Sequence, residues 1–339
     1  MISPADAGGA AAPQTRPLVS VLLACRDGER HLSAALESLA RQTWSPIEWL
    51  LVDDGSRDGT RAMLEEFARS RDSAQVLATP GLGLAGALAA AAAEARGEFL
   101  ARHDADDLSA PERLAIQTRF LIEHPAIGVV GTGAWIIDDR GESLGDYPIP
   151  VGSEAIARTL RRAPPFIHGS VMMRASVYRA AGGYRRAFLA AQDVDLWLRL
   201  PPGTGLANLA EPLYRWRLNP EGAFTRRRDQ QLRFSALARA FAEERRARGA
   251  DSIEDFERAG DWERFLAGYA RADRVRRIYG ELLAREGRVR EARTALAAAL
   301  SRPRSAGAVA WWLATWPIAL LPRARRAREA ESRRPGAAR

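Results

Sequence analysis

A chain of 339 residues with 47% hydrophobic and 27% charged side chains can bury a sizeable α/β core with an appendage, which argues against a disordered or fibrous protein. Its formal charge of +8 comes from excess arginine, dense in the last third, and admits nucleic acid, anionic lipid or a diphosphate as partner without choosing among them. Cys25 is the sole cysteine, which excludes an intramolecular disulfide and a cysteine-rich metal site and fits a reducing compartment.

Residues 1–16, rich in Ala, Gly and Pro, read as a loose tail without the basic and apolar regions of a signal peptide, so a cytoplasmic location is expected. The apolar run LVSVLLAC, Leu18 to Cys25, reads as a buried strand of a parallel sheet. A helical pattern from Arg30 to Gln42 and a second strand from Ile47 to Val52 complete a βαβ unit. The alternation continues through a helix from Thr60, a strand near Gln75, a helix over the alanine run Ala87 to Ala95, and a strand Phe99 to Arg102. This pattern predicts a doubly wound, mostly parallel sheet with flanking helices. Ligands of such sheets collect beyond the carboxyl ends of the strands, where Asp53-Asp54 and Asp104-Ala105-Asp106-Asp107 both fall.

Beyond Pro111 come a helix, a glycine-rich strand Val129 to Ile137 and a mixed segment through Trp216. From about Gln230 strand signals vanish, and Arg, Ala and Glu dominate at helical spacing. The expected division is a tail at 1–16, an α/β domain at 17–229, an α-helical extension at 230–300 and a Trp/Arg-rich tail at 301–339. Within that tail, residues 306–321 gather Trp311, Trp312 and Trp316 between arginines. The stretch falls short of the roughly 20 residues that span a bilayer, so it reads either as an interfacial anchor on an anionic membrane face or as a helix docked on the protein's own core.

Three acidic groups carry chemistry. Asp53 and Asp54 can accept hydrogen bonds from a pyrimidine imide and ribose hydroxyls, or Ser56 and Asp58 can make the same segment a plain helix-capping turn. The alternating carboxylates of Asp104 and Asp106 can converge on Mn²⁺ or Mg²⁺, hard cations that prefer oxygen ligands; otherwise they belong to a solvated turn before the helix at Pro111. Asp193, in AQDVDLWLRL, can take a proton from an acceptor hydroxyl, or simply suit a helix N-terminus. Gly81-Leu82-Gly83-Leu84-Ala85-Gly86 matches the dinucleotide pattern GxGxxG, but it follows the third strand rather than the first.

Taken in order, VSVLLACRDGERHLSAALESLARQTW, LLVDDGSRDGT, GLGLAGALAAAAAEARGEFLARHDADD, PERLAIQ and AQDVDLWLRL resemble the successive blocks of the inverting family 2 glycosyltransferases of GT-A fold, over about residues 18–217. The resemblance implies a nucleotide-diphosphate-sugar donor bound by Asp53 and Asp54, with Asp104 and Asp106 as the Asp-x-Asp pair and Asp106 as the main metal ligand. It implies Asp193 as catalytic base, with Gln192 where the family often has Glu. His168, in His168-Gly169-Ser170, falls in a block near the acceptor side, and Arg217 suits the diphosphate unless it is a surface charge. The expected acceptor is a glycan or lipid-linked hydroxyl of cell-surface or extracellular glycan assembly, reached at the cytoplasmic membrane face if the Trp/Arg-rich tail anchors the chain. Nucleotidyl transfer, with no need for a base at Asp193, is the enzymatic rival. A non-catalytic binding module is the other, although acidic clusters oppose nucleic acid as its ligand.

Overall fold

Val19, Val21 and Leu23 on one face, and Ser20 and Leu22 on the other, are all at most 2% exposed, as a strand covered on both faces requires. That strand, β1 (Val19–Cys25), is followed in a computed structural model by α1 (Glu29–Ala40), β2 (Ile47–Asp53), α2 (Thr60–Arg69), β3 (Ala74–Ala78), α3 (Gly83–Glu94) and β4 (Phe99–His103). The structure describes residues 16–218 and 228–299. The elements then run β5 (Leu108–Ser109), α4 (Arg113–Glu123), β6 (Ile127–Ile137), β7 (Ser143–Tyr147), α5 (Ser153–Leu160), a 3-10 turn at His168–Ser170, β8 (Met172–Arg174), α6 (Ala175–Ala180), α7 (Gln192–Trp197) and β9 (Gly205–Arg217).

The strands form one sheet in the order β3-β2-β1-β4-β8-β6-β9-β5, with β7 paired to β6. Strands β3, β2, β1 and β4 are mutually parallel, while β8 runs antiparallel between β4 and β6. The predicted doubly wound half is therefore present, and the mixed segment supplies an extension in which β6 and β9 pair in parallel while β8, β7 and β5 run antiparallel to their neighbours. Cys25 pairs with Asp53 and Leu23 with His103, so β2 and β4 flank β1 and end on the same side of the sheet. Their acidic ends lie one strand apart, roughly 10 Å.

The chain divides by packing into two compact units, and the division is not the one composition suggests: residues 160–164 and 185–199 group with the helices after 228, while 200–218 stays with the sheet. The second unit contains α7 together with α8 (Arg228–Arg248), α9 (Ile253–Ala259), α10 (Trp262–Gly268), α11 (Ala272–Arg285) and α12 (Val289–Ala299). Helix α8 has neither Gly nor Pro, and its alanines let it be buried nearly all round from Phe234 to Ala242. Phe188, Phe234, Phe241, Phe256, Phe265 and Tyr269 form this unit's aromatic centre, with Phe256 and Phe265 edge-on at 5.2 Å. No helix among the described residues is long and apolar enough to cross a membrane. The Trp-rich segment lies outside the described residues.

Candidate functional site

The end of β2 is filled by its own fold. Asp53 accepts the Ser56 N–H at 3.0 Å, and Asp54 accepts the Thr79 hydroxyl at 2.6 Å and the N–H groups of Leu82 and Gly83 at 2.6 and 2.8 Å. Both aspartates are 4% exposed. The glycines of the GxGxxG stretch allow this: Gly81 and Gly83 have φ of +82° and +75°, which turns the loop so that its amides meet Asp54. An internal carboxylate thus occupies the helix terminus that a pyrophosphate would need in a dinucleotide site.

Next to it, the loops after β1 and β2 cap each other's helices. Asp58 accepts the N–H groups of Glu29 and Thr60, Thr60 accepts that of Gly28, and Glu29 accepts that of Gly59. The capping role read for Asp58 is therefore present, and it serves both helices.

The end of β4 differs. Asp107 is 1% exposed and its carboxylate accepts the backbone N–H of Arg217 at 2.7 Å. Asp104 pairs with Arg102, and its N–H donates to the Tyr214 hydroxyl at 3.1 Å. Burial and the charge of Asp104 push the Asp106 carboxyl up to about 6, and burial with both neighbouring acids raises Asp107 well above the carboxylate range. This is no solvated turn. Among the described residues Asp106 makes no ion pair, but three arginines surround the turn: Arg102, Arg113 and Arg217.

Arg217 donates to the carbonyls of Asp106, Asp138 and Asp139 at 2.7, 2.6 and 2.9 Å. It is a 5% exposed clamp joining the acidic turn to the hairpin after β6, rather than a surface charge. Arg215 instead lies over the Trp135 ring at 5.6 Å.

His168 meets Tyr184 at 2.7 Å, and burial followed by the charge of Arg102 holds its imidazole well below the usual histidine value. The neighbouring glycine explains the block as much as the histidine does. A Cβ on Gly169 would stand 2.0 Å from the Tyr214 hydroxyl oxygen and 2.7 Å from an Asp104 carboxylate oxygen. The parts played at the acidic turn by Tyr214, Gly169, Arg102 and Arg113 emerge only from the fold; a charged residue ending the apolar run FLAR was the available signal for Arg102.

In the second unit, Asp193 is half-buried in the first turn of α7, and its charge acts on Arg239. Ala191 enters that helix in the left-handed conformation, φ +52°, and its N–H donates to Gln231 at 3.2 Å. Gln192 is 7% exposed. Asp195 is fully buried in a two-pronged contact with Arg199 at 2.8 and 2.9 Å, so it anchors α7.

The profile of Glycosyl transferase family 2 matches residues 20–182. The putative glycosyltransferase EpsE of Bacillus subtilis is 38% identical over 216 residues, 62% of this chain and 76% of that protein. The chain belongs to glycosyl transferase family 2. This glycosyltransferase is also 30% identical over 214 residues to the amylovoran biosynthesis glycosyltransferase AmsE of Erwinia amylovora, 62% of this chain and 80% of that one. Its fold is shared with the mannosyltransferase PcManGT from Pyrobaculum calidifontis, solved in complex with GDP-Man and Mn²⁺, with TM-score 0.54, 19% identity, and 92% and 83% of the two chains covered. The expected α/β GT-A architecture with C-terminal helices is thus the one observed.

Proposed function

We propose that this glycosyltransferase moves a sugar from a nucleotide-diphosphate donor to an acceptor hydroxyl, with inversion and with a divalent metal, in cell-surface or extracellular glycan assembly. The observation that carries the reading is the β4 turn, where Asp104 and Asp106 stand together, half-buried and of like charge, at the carboxyl end of a parallel strand. Their hard oxygens suit Mn²⁺ or Mg²⁺. Among the described residues no group of three or more His, Cys, Asp or Glu is placed to hold a metal, so two carboxylates would share the ion with the donor's phosphates and water. When bound, the ion supplies charge stabilisation to the departing diphosphate.

The protein's own groups divide the remaining work. Asp53 would meet the base or ribose, while Asp54 acts through the 79–83 loop that it holds. Arg217 keeps the metal-binding turn in place through its three carbonyl contacts. Asp193 would accept the acceptor's proton as that oxygen attacks the anomeric carbon. Of the further acceptor-side candidates, Gln192 neighbours Asp193 on α7 and His168 lies in the 3-10 turn of the first unit. The acceptor would be a glycan or lipid-linked hydroxyl; the name of one relative, from amylovoran biosynthesis, supports a place in glycan assembly. The Trp/Arg-rich residues 301–339 would hold the enzyme at the anionic cytoplasmic membrane face.

The test is a panel of nucleotide sugars with and without Mn²⁺ or Mg²⁺, following nucleotide diphosphate release by the wild type, Asp106→Ala and Asp193→Asn. Metal-dependent release from one donor is expected, with roughly a hundredfold loss or more in both variants while Asp193→Asn still binds donor. Absence of donor binding across the panel with metal present would sink the reading.

A further inference from the structure

Arg113, the first residue of α4, heads the fully buried side chains by volume among the described residues. Its situation is costly in three ways. A cation at a helix N-terminus opposes the macrodipole. A guanidinium with no exposure gives up its hydration. Among the described residues its Nε and Nη2 also find no hydrogen-bond partner.

What it touches shows what those costs offset. Nη1 donates to the Arg102 carbonyl at 3.1 Å and to the Gly169 carbonyl at 3.0 Å, joining the end of β4 to the 3-10 turn. The guanidinium lies 5.4 Å from the Tyr214 ring centre, and the Tyr214 hydroxyl takes the Asp104 N–H. One side chain therefore reaches the strand preceding the acidic turn, the glycine turn packed against it and the tyrosine that holds its backbone.

We propose that Arg113 is a positioning residue for the donor: a buried brace that, through the Arg102 and Gly169 carbonyls and the Tyr214 ring, holds Asp104 and Asp106 where a metal-bound diphosphate meets them. The proposal rests on the donor-site reading above. A loss of stability alone would not distinguish it from ordinary core packing, so the comparison needs a matched arginine. Arg174 supplies one: it also clamps two backbone carbonyls, of Ile127 at 3.0 Å and Leu121 at 2.5 Å, and lies 5.4 Å from an aromatic ring centre, that of Phe99.

The experiment measures UDP and GDP binding by calorimetry with Mn²⁺, in the full chain and in Arg113→Met, Arg113→Lys and Arg174→Met, with melting temperatures alongside. Both Met variants should melt earlier. Only Arg113→Met should weaken nucleotide binding, by about tenfold or more, with Arg113→Lys in between because it keeps the charge on a differently shaped head. Wild-type affinity in Arg113→Met overturns the proposal, as does an equal loss in Arg174→Met. If Arg113→Met does not fold, Arg113→Lys decides, and wild-type affinity there overturns the proposal. A wild type that binds neither nucleotide removes the donor-site reading and the proposal with it, whereas wild-type binding with no effect at Arg113 removes the proposal alone.

Discussion

The end of β2 carries Asp53 and Asp54, the end of β4 carries Asp104, Asp106 and Asp107, and the fold treats Asp54 and Asp106 oppositely. Asp54 accepts from three neutral donors of its own unit, so its carboxylate is hydrogen-bonded internally and stabilises the loop before α3. Asp106 has a raised pKa because its surroundings favour the neutral acid, and it stands beside another carboxylate. An acid stabilised in place is built for structure; one held against its own preference is the kind found where charge is kept for chemistry.

The strongest way to break this contrast is at the second site. Asp106→Asn should lower donor-dependent turnover by roughly a hundredfold or more while leaving the metal-free protein at least as stable as the wild type, since a disfavoured charge is removed. Activity assays and denaturant titration check the two halves, and a clear destabilisation by Asp106→Asn would void the distinction.

Gly169→Ala comes next, because its methyl group would collide with Tyr214 and Asp104; it should cost about 1–3 kcal/mol in denaturation and also weaken nucleotide binding. Asp54→Asn should show the opposite balance from Asp106→Asn, a loss of about 1–3 kcal/mol because amides that now reach a carboxylate would be left poorly paired. Calorimetric melting with nucleotide-binding measurements would separate the two variants.

A third carboxylate sharpens the rule at the opposite end of β2. Glu48 is 2% exposed and accepts from the Ser20 hydroxyl at 2.5 Å, the Arg96 N–H at 2.6 Å and the Gly97 N–H at 3.0 Å. Burial raises its pKa, but these bonds outweigh it and hold the carboxyl below its ordinary value of 4.5. Its stabilising contribution should be complete above that ordinary value and fade as the pH falls through the lower folded one. The stability gap between wild type and Glu48→Gln should therefore be constant near neutrality and shrink in acid; a gap that widens in acid would contradict this assignment. The smallest effect belongs to Gly83→Ala, where nothing crowds the new methyl and the left-handed backbone alone should cost about 1 kcal/mol by thermal denaturation.

By itself the sequence determined the parallel half of the sheet, the strand ends and the positions of the acids along them. Those features follow from patterns a few residues long: a buried strand must be apolar throughout, and its end must give way to a polar turn. It also carried the ordered blocks that mark the family. Partnership was beyond it. Asp54 finds its donors 25 to 29 residues away, Arg113 reaches a carbonyl 56 residues away, and Arg217 contacts the acidic turn across 111. Only folding brings such groups together, because a hydrogen bond depends on distances of about 3 Å that spacing along the chain does not encode. For the same reason the sequence could not tell which acidic strand end the fold satisfies internally; the tertiary structure supplied amides to Asp54 and a neighbouring charge to Asp106, and grouped residues 185–199 with the helices rather than the sheet.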